Sequence, residues 1–365
     1  MQLSPSPKFN APHFQGSSAS NLISFGALPD SGIFSLPDFD LPFPDYPFNH
    51  KNDFLVNRFY PFSLKLTTPL LFSLAYFSSV HFLNHVVFRR QVDAYTRRHP
   101  KAKTLPRKLV SAPYWFSKTR LFKALVILHN IVLCIYSLTT FFGLVYTMRM
   151  NAREILPALF GNYFASSELR PTHMFWQSVC NIDNGIWQTH GSSIRGLSFW
   201  AYLFYLSKFY EIIDTMIILL KGRQASLLQS YHHAGAILCM WAGVRFSSPP
   251  IWIFVVFNSF IHSIMYFYFT LSCFKIKVSL RFKQCLTTLQ IIQFVLGGCL
   301  AVLHMFVRYK DIITGTTQSC INTGEDALAI FMNVAYLTPL TMLFAAFYID
   351  SYKKRGLTTK AKKIN

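Results

Sequence analysis

Residues 227–241 read LLQSYHHAGAILCMW. Two adjacent histidines, His232 and His233, sit inside a run that is otherwise apolar enough to enter a lipid bilayer. A charged side chain at the bilayer centre costs about 3 kcal/mol on insertion scales, so ionisable residues in spans turn inward and either pair or serve a site. The stretch therefore reads as one helix of a membrane bundle with a polar interior. Metal ligand, catalyst and satisfied core residue are the three roles open to the histidines.

Composition agrees with a membrane setting. The 365-residue chain is 52% hydrophobic and only 14% charged, with a mean hydropathy of +0.30, whereas soluble domains carry about 25% charged residues. Seven apolar runs, at 68–88, 121–146, 197–220, 227–246, 250–273, 286–307 and 327–349, each approach the roughly 20 residues that cross the hydrocarbon core. The expected fold class is an all-α membrane protein, its seven transmembrane helices forming one bundle. Seven spans put the termini on opposite sides. Of the 35 lysines and arginines, 22 fall in the loops 89–120, 221–226 and 274–285 and in the tail after Tyr352, accompanied by two acids at most, Asp93 and Asp350. The other side carries 11 basic and 11 acidic residues. The net charge of +20 thus marks one side as cytosolic by the positive-inside rule. It suits lipid headgroups or a polyanionic soluble substrate and gives no reason to expect nucleic acid.

The chain divides into a proline-rich segment 1–60, expected to be lumenal and mostly disordered, a membrane domain 61–352, and a basic tail 353–365. No apolar core follows a basic start, so the N-terminus is no signal peptide. The tail ends KKIN, similar to the di-lysine retrieval signal of endoplasmic reticulum membrane proteins. Seven cysteines include no C-x-x-C pair of the kind that marks structural zinc. Cys180 and Cys320 are the two in loops assigned to the lumen, where a disulfide persists, and they are expected to pair.

Polar residues inside the spans recur at helical spacing. KFYEIIDT places Lys208, Glu211, Asp214 and Thr215 on one broad face. The next run supplies Gln229, His232 and His233; NSFIHSIMYFYF supplies Asn258, His262 and Tyr266; TTLQIIQF supplies Thr287, Gln290 and Gln293. Structural ion pairing is the plain reading of Lys208 with Glu211, and interhelical hydrogen bonding that of the Thr and Gln residues. The isolated His81, His85, His129 and His304 read as satisfied core residues. Four consecutive helices that each turn a polar ladder inward enclose a polar chamber, and 37 Phe and 18 Tyr supply an apolar lining behind it. A substrate with a charged head and a long hydrocarbon tail fits both.

Together the four patterns resemble the ELO-type fatty-acid elongases, the membrane-embedded very-long-chain 3-oxoacyl-CoA synthases. K-x-x-E-x-x-D-T is present at Lys208, Glu211, Asp214 and Thr215. N-x-x-x-H-x-x-M-Y-x-Y-Y is present with Phe269 for its last tyrosine, and T-x-x-Q-x-x-Q is intact. The box H-x-x-H-H appears as QSYHH, with Gln229 for the first histidine, a variant similar to that of some fungal and microalgal elongases. The resemblance covers residues 60–355. It implies seven helices around an acyl tunnel; the loop charges put the N-terminus in the lumen and the C-terminus in the cytosol, and the KKIN tail points to the endoplasmic reticulum membrane. The resemblance also implies condensation of acyl-CoA with malonyl-CoA to 3-ketoacyl-CoA, CO2 and CoA, with saturated or monounsaturated substrates ahead of polyunsaturated ones.

On that resemblance His232 carries the acyl group, since neutral imidazole forms reactive acyl-imidazoles. His262 acts as its acid/base or oxyanion-side partner, and His233, Glu211 and Asp214 set tautomer and orientation. Lys208, Gln229, Asn258, Tyr266, Gln290 and Gln293 bind the thioester and pantetheine, and Arg281, Lys283, Lys353 and Arg355 meet the CoA phosphates. No metal or cofactor is expected. The implied partners are both CoA substrates, membrane lipids, and the ketoacyl-CoA reductase, dehydratase and enoyl reductase of the elongation cycle, with a homodimer open. A di-iron desaturase needs about eight histidine ligands, against the three clustered here. A seven-helix receptor explains the spans but not KFYEIIDT beside QSYHH.

Overall fold

The computed structural model describes residues 22–49, 51–106, 108–165, 171–187, 196–312 and 314–353. It is mostly helical, and four of the helices, α3, α8, α10 and α11, begin at a side-chain cap that the sequence supplies. A short helix α1 (Tyr60–Leu64) precedes α2 (Thr67–Arg98) and α3 (Arg120–Met150), the last opened by Thr119, whose hydroxyl accepts from the Phe122 N–H at 3.2 Å. A wide turn at Asn151–Ile155 leads into α4 (Leu156–Ala165), followed by α5 (Pro171–Cys180). The helices α6 (Leu197–Tyr210) and α7 (Ile212–Leu220) are halves of one run, broken at Glu211. Ser226, Ser279 and Thr323 cap α8 (Leu227–Arg245), α10 (Leu280–Leu303) and α11 (Gly324–Tyr348) in the same way as Thr119. Between α8 and α10 lies α9 (Ile251–Cys273).

Each of the seven apolar runs is helical, but five helices are long and apolar enough to cross a membrane among the described residues: α2, α3 with its continuation, α9, α10 and α11. The third and fourth expected spans do not reach that measure. Lys208, Glu211 and Asp214 dilute and interrupt the α6–α7 run, and Gln229, His232, His233 and Arg245 dilute the 19-residue α8. These are the helices that carry the densest polar ladders.

Helix contacts run from α3 to α9, α10, α11, α8 and α6, and back to α3. They close a ring of six, with α2 packed outside on α8. The ring has two unlike ends. At one, aromatic residues of α6 and α8 pack on α1: the Tyr205 hydroxyl donates to the Ser63 carbonyl at 2.7 Å, and the Trp241 indole donates to that of Leu64 at 2.7 Å. A three-stranded antiparallel sheet lies at the same end, with β1 (Ile23–Phe25) on β2 (Val307–Lys310) and β2 on β3 (Thr317–Ser319). Its register pairs Ile23 with Tyr309 and Arg308 with Ser319.

Part of the proline-rich segment is ordered, contrary to its expected disorder; residues 1–21 lie outside the described residues. Extended, proline-bearing backbone leaves carbonyls that need donors from elsewhere. Arg245, at the end of α8 and buried, donates to the carbonyls of Pro42 at 3.0 Å, Phe39 at 3.2 Å and Leu41. Its guanidinium also lies 4.7 Å from the Phe43 ring centroid, and the Asp38 N–H donates to Glu325 at 2.7 Å. One arginine fork thus straps the segment across this end of the ring.

At the same end Cys180, closing α5, is bonded to Cys320, which follows β3, with Cα atoms 4.7 Å apart. The Gln177 amide donates to the Lys310 carbonyl at 2.6 Å alongside. The other five cysteines are free. Denatured without reductant, the chain should take up five maleimide–polyethylene glycol adducts, and after reduction seven, counted by gel mobility. Seven adducts before reduction would refute the bond.

Candidate active site

The break between α6 and α7 brings the KFYEIIDT residues together. The Lys208 ammonium donates to Glu211 Oε1 at 2.6 Å and to Asn258 Oδ1, on α9, at 3.1 Å. It also lies 3.8 Å from the centroid of the Phe204 ring. Because the Asn258 oxygen accepts from Lys208, its amide nitrogen faces His262 Nε2, at 3.1 Å, and donates to it. A neutral imidazole that accepts at Nε2 carries its proton on Nδ1. That atom faces Glu211 Oε2 at 3.9 Å, beyond hydrogen-bond reach. Oε2 is buried without a partner.

Asp214 turns elsewhere. Its carboxylate accepts from the Tyr266 hydroxyl at 2.6 Å and lies 2.9 Å from His129 Nε2 on α3. His129 Nδ1 is in turn 3.3 Å from the Tyr210 hydroxyl. His129, read from sequence as an isolated core histidine, therefore stands behind the site, buried against Asp214, and lines neither of its cavities. No motif contains it, and only the packing of α3 on α9 brings it there. His304, by contrast, is satisfied by the Leu300 carbonyl at 2.7 Å and by Trp252.

On α8, the Gln229 amide donates to His233 Nε2 at 2.9 Å and lies 3.4 Å from Thr215 Oγ1. Thr215 is itself bonded to Tyr76 at 2.8 Å. Gln229 thus orients His233 one turn along the helix. His232 points differently: its Nδ1 is 2.8 Å from the hydroxyl of Tyr336, on α11. The ring centroids of His232 and His262 are 6.4 Å apart.

Two cavities meet at His232. A wider one of about 390 Å³ opens at the end away from the strap; it carries the polar side chains Asp214, Gln229, His233, His262, Tyr266, Lys283, Gln290 and Gln293 among apolar ones such as Leu228, Met265, Phe269 and Phe344, and is the more polar of the two. A narrow one of about 50 Å³ lies on the strap side, lined mostly by apolar residues such as Ala236, Met240, Phe254, Phe257 and Leu337, with Lys208, Asn258, Asn333 and Tyr336. His232, Gln293 and Phe294 line both and form the neck between them. A further small void toward the strap shares Phe254 and Asn333 with the narrow pocket. Of the basic residues expected at the mouth, Lys283 lines the polar cavity, while Arg281 and Lys353 are exposed and line neither cavity. Arg355 lies outside the described residues. Glu211 lines neither cavity; it is bonded to Lys208 and faces His262. Among the described residues no group of three or more His, Cys, Asp or Glu side chains is arranged to hold a metal ion.

Residues 61–360 match the family described as ELO: GNS1/SUR4. The chain is 30% identical to "Fatty acid elongase A" of Dictyostelium discoideum, over 64% of this chain and 73% of that protein. It is 30% identical to "Fatty acid elongase 2" of Trypanosoma brucei brucei, over 46% of this chain and 60% of that protein. It is also 30% identical to human "Very long chain fatty acid elongase 3", over 46% and 58% respectively. No solved structure matches it.

Lys208 and Glu211 are each almost fully buried, so removing one charge strands the other. Lys208→Met should cost about 3–5 kcal/mol in denaturant unfolding of the detergent-solubilised protein. Lys208→Met combined with Glu211→Gln should recover most of that loss. A double variant no more stable than the single one would show that the pair's charges are not what matters.

Proposed function

The chain belongs to the ELO family of fatty acid elongases, and from that premise we propose that it condenses long-chain acyl-CoA with malonyl-CoA. The observation that carries this reading is the neck at His232, with a polar cavity on one side and an apolar pocket on the other. A thioester set at the neck has its CoA on the side of the larger cavity and the first carbons of its hydrocarbon tail in the narrow apolar pocket, which must widen toward the strap to take a long chain. Lys283 at the mouth meets CoA phosphates, and Gln290, Gln293 and Tyr266 line the route of the pantetheine.

His232 attacks the thioester carbonyl through its ring nitrogen, the C–S bond breaks, and CoA leaves as thiolate. The thiolate takes its proton from solvent through the open cavity, while His262 on the facing helix, its Nε2 accepting from Asn258 and its Nδ1–H turned toward Glu211, stays neutral as a polar partner beside the reacting carbonyl. The acyl group now rests on His232. Malonyl-CoA then loses CO2, and the resulting enolate carbon attacks the acyl carbon. The C–N bond breaks, releasing 3-ketoacyl-CoA two carbons longer and restoring His232.

In this proposal α6–α7 and α8 cross the bilayer with the five apolar helices, shielded from lipid by their place in the bundle. The strap, sheet and disulfide face the lumen of the endoplasmic reticulum, and the basic loops and tail face the cytosol. Saturated or monounsaturated acyl-CoA is the proposed substrate, and the reductases and dehydratase of the elongation cycle receive the product.

Microsomes containing the protein should incorporate label from malonyl-CoA into 3-keto or elongated acyl products. Purified wild type given acyl-CoA alone should release free CoA in an amount near that of enzyme, and His232→Gln should release none. Normal expression without condensation across C14 to C24 acyl-CoAs would sink the activity. CoA release only after malonyl-CoA is added would instead make His232 a base in a direct condensation.

A further inference from the structure

His232 is held by a residue that none of the sequence motifs contains. Its Nδ1 lies 2.8 Å from the Tyr336 hydroxyl oxygen. The same hydroxyl donates to the backbone carbonyl of His232 at 3.0 Å. A phenol has one proton, and a carbonyl oxygen can only accept. With the phenol proton on the carbonyl, the contact at Nδ1 is a hydrogen bond only when Nδ1 is the donor. Neutral imidazole carries one proton, so Nε2 is then the nitrogen with the free lone pair. We propose that Tyr336 is a positioning residue that holds His232 in its Nδ1–H tautomer and so presents an unprotonated Nε2 to the thioester carbonyl at the neck. The proposal rests on the acyl-histidine reading above and names the residue that makes His232 nucleophilic.

The other two histidines of the site are placed differently. Nε2 of His262 accepts from Asn258, and Nε2 of His233 accepts from Gln229. Among the described residues, His232 is the member of the three whose Nε2 makes no protein hydrogen bond.

The lock also matches the charge changes of the reaction. Attack through Nε2 forms the C–N bond, expels CoA thiolate and leaves an acyl-imidazolium still protonated at Nδ1. The hydrogen bond from Nδ1 to the Tyr336 oxygen strengthens as the ring becomes cationic. Attack by the enolate breaks the C–N bond and returns the neutral ring with the same proton on Nδ1. That proton never has to leave. An Nε2–H tautomer could not attack through Nε2 until its proton had moved, and its free lone pair, on Nδ1, would face Tyr336.

The surroundings hold Tyr336 in place. Its ring stacks on Tyr231 with centroids 5.7 Å apart, and the Tyr231 hydroxyl donates to the Tyr336 carbonyl at 3.3 Å. Across the helix contact stands Gly235, where any side chain would run into the Tyr336 ring.

Two measurements on the full chain in detergent test the lock. Histidine 15N spectra report the tautomer directly, with the His232 signals assigned by their loss in His232→Gln. Wild type should show a protonated Nδ1 and a bare Nε2, and Tyr336→Phe should move His232 to a mixture or to Nε2–H. Loss of a hydrogen bond to a charged group predicts that Tyr336→Phe slows CoA release from acyl-CoA alone by about 10- to 100-fold, with KM unchanged. Thr338→Val removes an exposed hydroxyl two residues along α11, bonded to the Val334 carbonyl, and should keep the wild-type rate. Wild-type His232 protonated at Nε2, or Tyr336→Phe with an unchanged tautomer and rate, overturns the proposal. So does an equal loss in Thr338→Val, which would assign the effect to the packing of α11 in general. If wild type releases no CoA from acyl-CoA alone, the acyl-histidine reading fails, and the spectra still decide the lock. If Tyr336→Phe does not fold, the wild-type spectrum decides it alone.

Discussion

A lysine and a glutamate buried against each other set the terms for the rest of the bundle. Neither Lys208 nor Glu211 can stand alone in a low-dielectric interior, and their 2.6 Å contact answers each with the other. The contact forms across the point where the α6–α7 run breaks, so the break and the ion pair are one feature. The ammonium has further donors to place, and one goes to Asn258 on α9. That bond decides which way the Asn258 amide faces, and the amide decides which nitrogen of His262 carries its proton. A single buried charge thereby sets the register of α6 against α9 and the state of a histidine on the far side of the contact.

In the proposed reaction the ring of helices around this pair receives an amphiphile. Polarity falls along its axis, from a mouth lined by Gln229, Lys283, Gln290 and Tyr266, through the neck at His232, to a pocket lined by Ala236, Met240 and Phe257. The strap closes the end beyond. Arg245 takes up carbonyls that the proline-rich segment cannot pair for itself, and the aromatic layer of Tyr202, Tyr205 and Trp241 lies beneath. The end where a hydrocarbon tail would terminate is thus held by aromatic packing and one arginine fork, and the disulfide between Cys180 and Cys320 ties the neighbouring loops.

The helices, the side of the bundle that carries positive charge, and most of the polar residues of the site were legible in the amino-acid sequence. Those properties are local: apolar run length, loop charge, and polar residues repeating at three and four along a helix. Lys208, Glu211, Asn258 and His262 announced themselves in this way, and the structure draws them into one hydrogen-bonded group. Order in residues 22–49 was not legible, because proline density argues against helix and is silent about a distant arginine ready to take up carbonyls.

What only the tertiary structure decided is who partners whom across helices. Asp214 shares a motif with Glu211 yet turns away from the paired histidines to Tyr266 and His129, a residue 85 positions earlier in the chain. Tyr336 follows His232 by 104 positions and belongs to no polar ladder, yet it meets both the ring and the carbonyl of that histidine. Helical periodicity states which face a side chain occupies; it carries no information about which helix that face will meet. The meeting is set by the closure of six helices into a ring, by the small residue at Gly235 that admits Tyr336, and by the need of every buried polar group to find a partner.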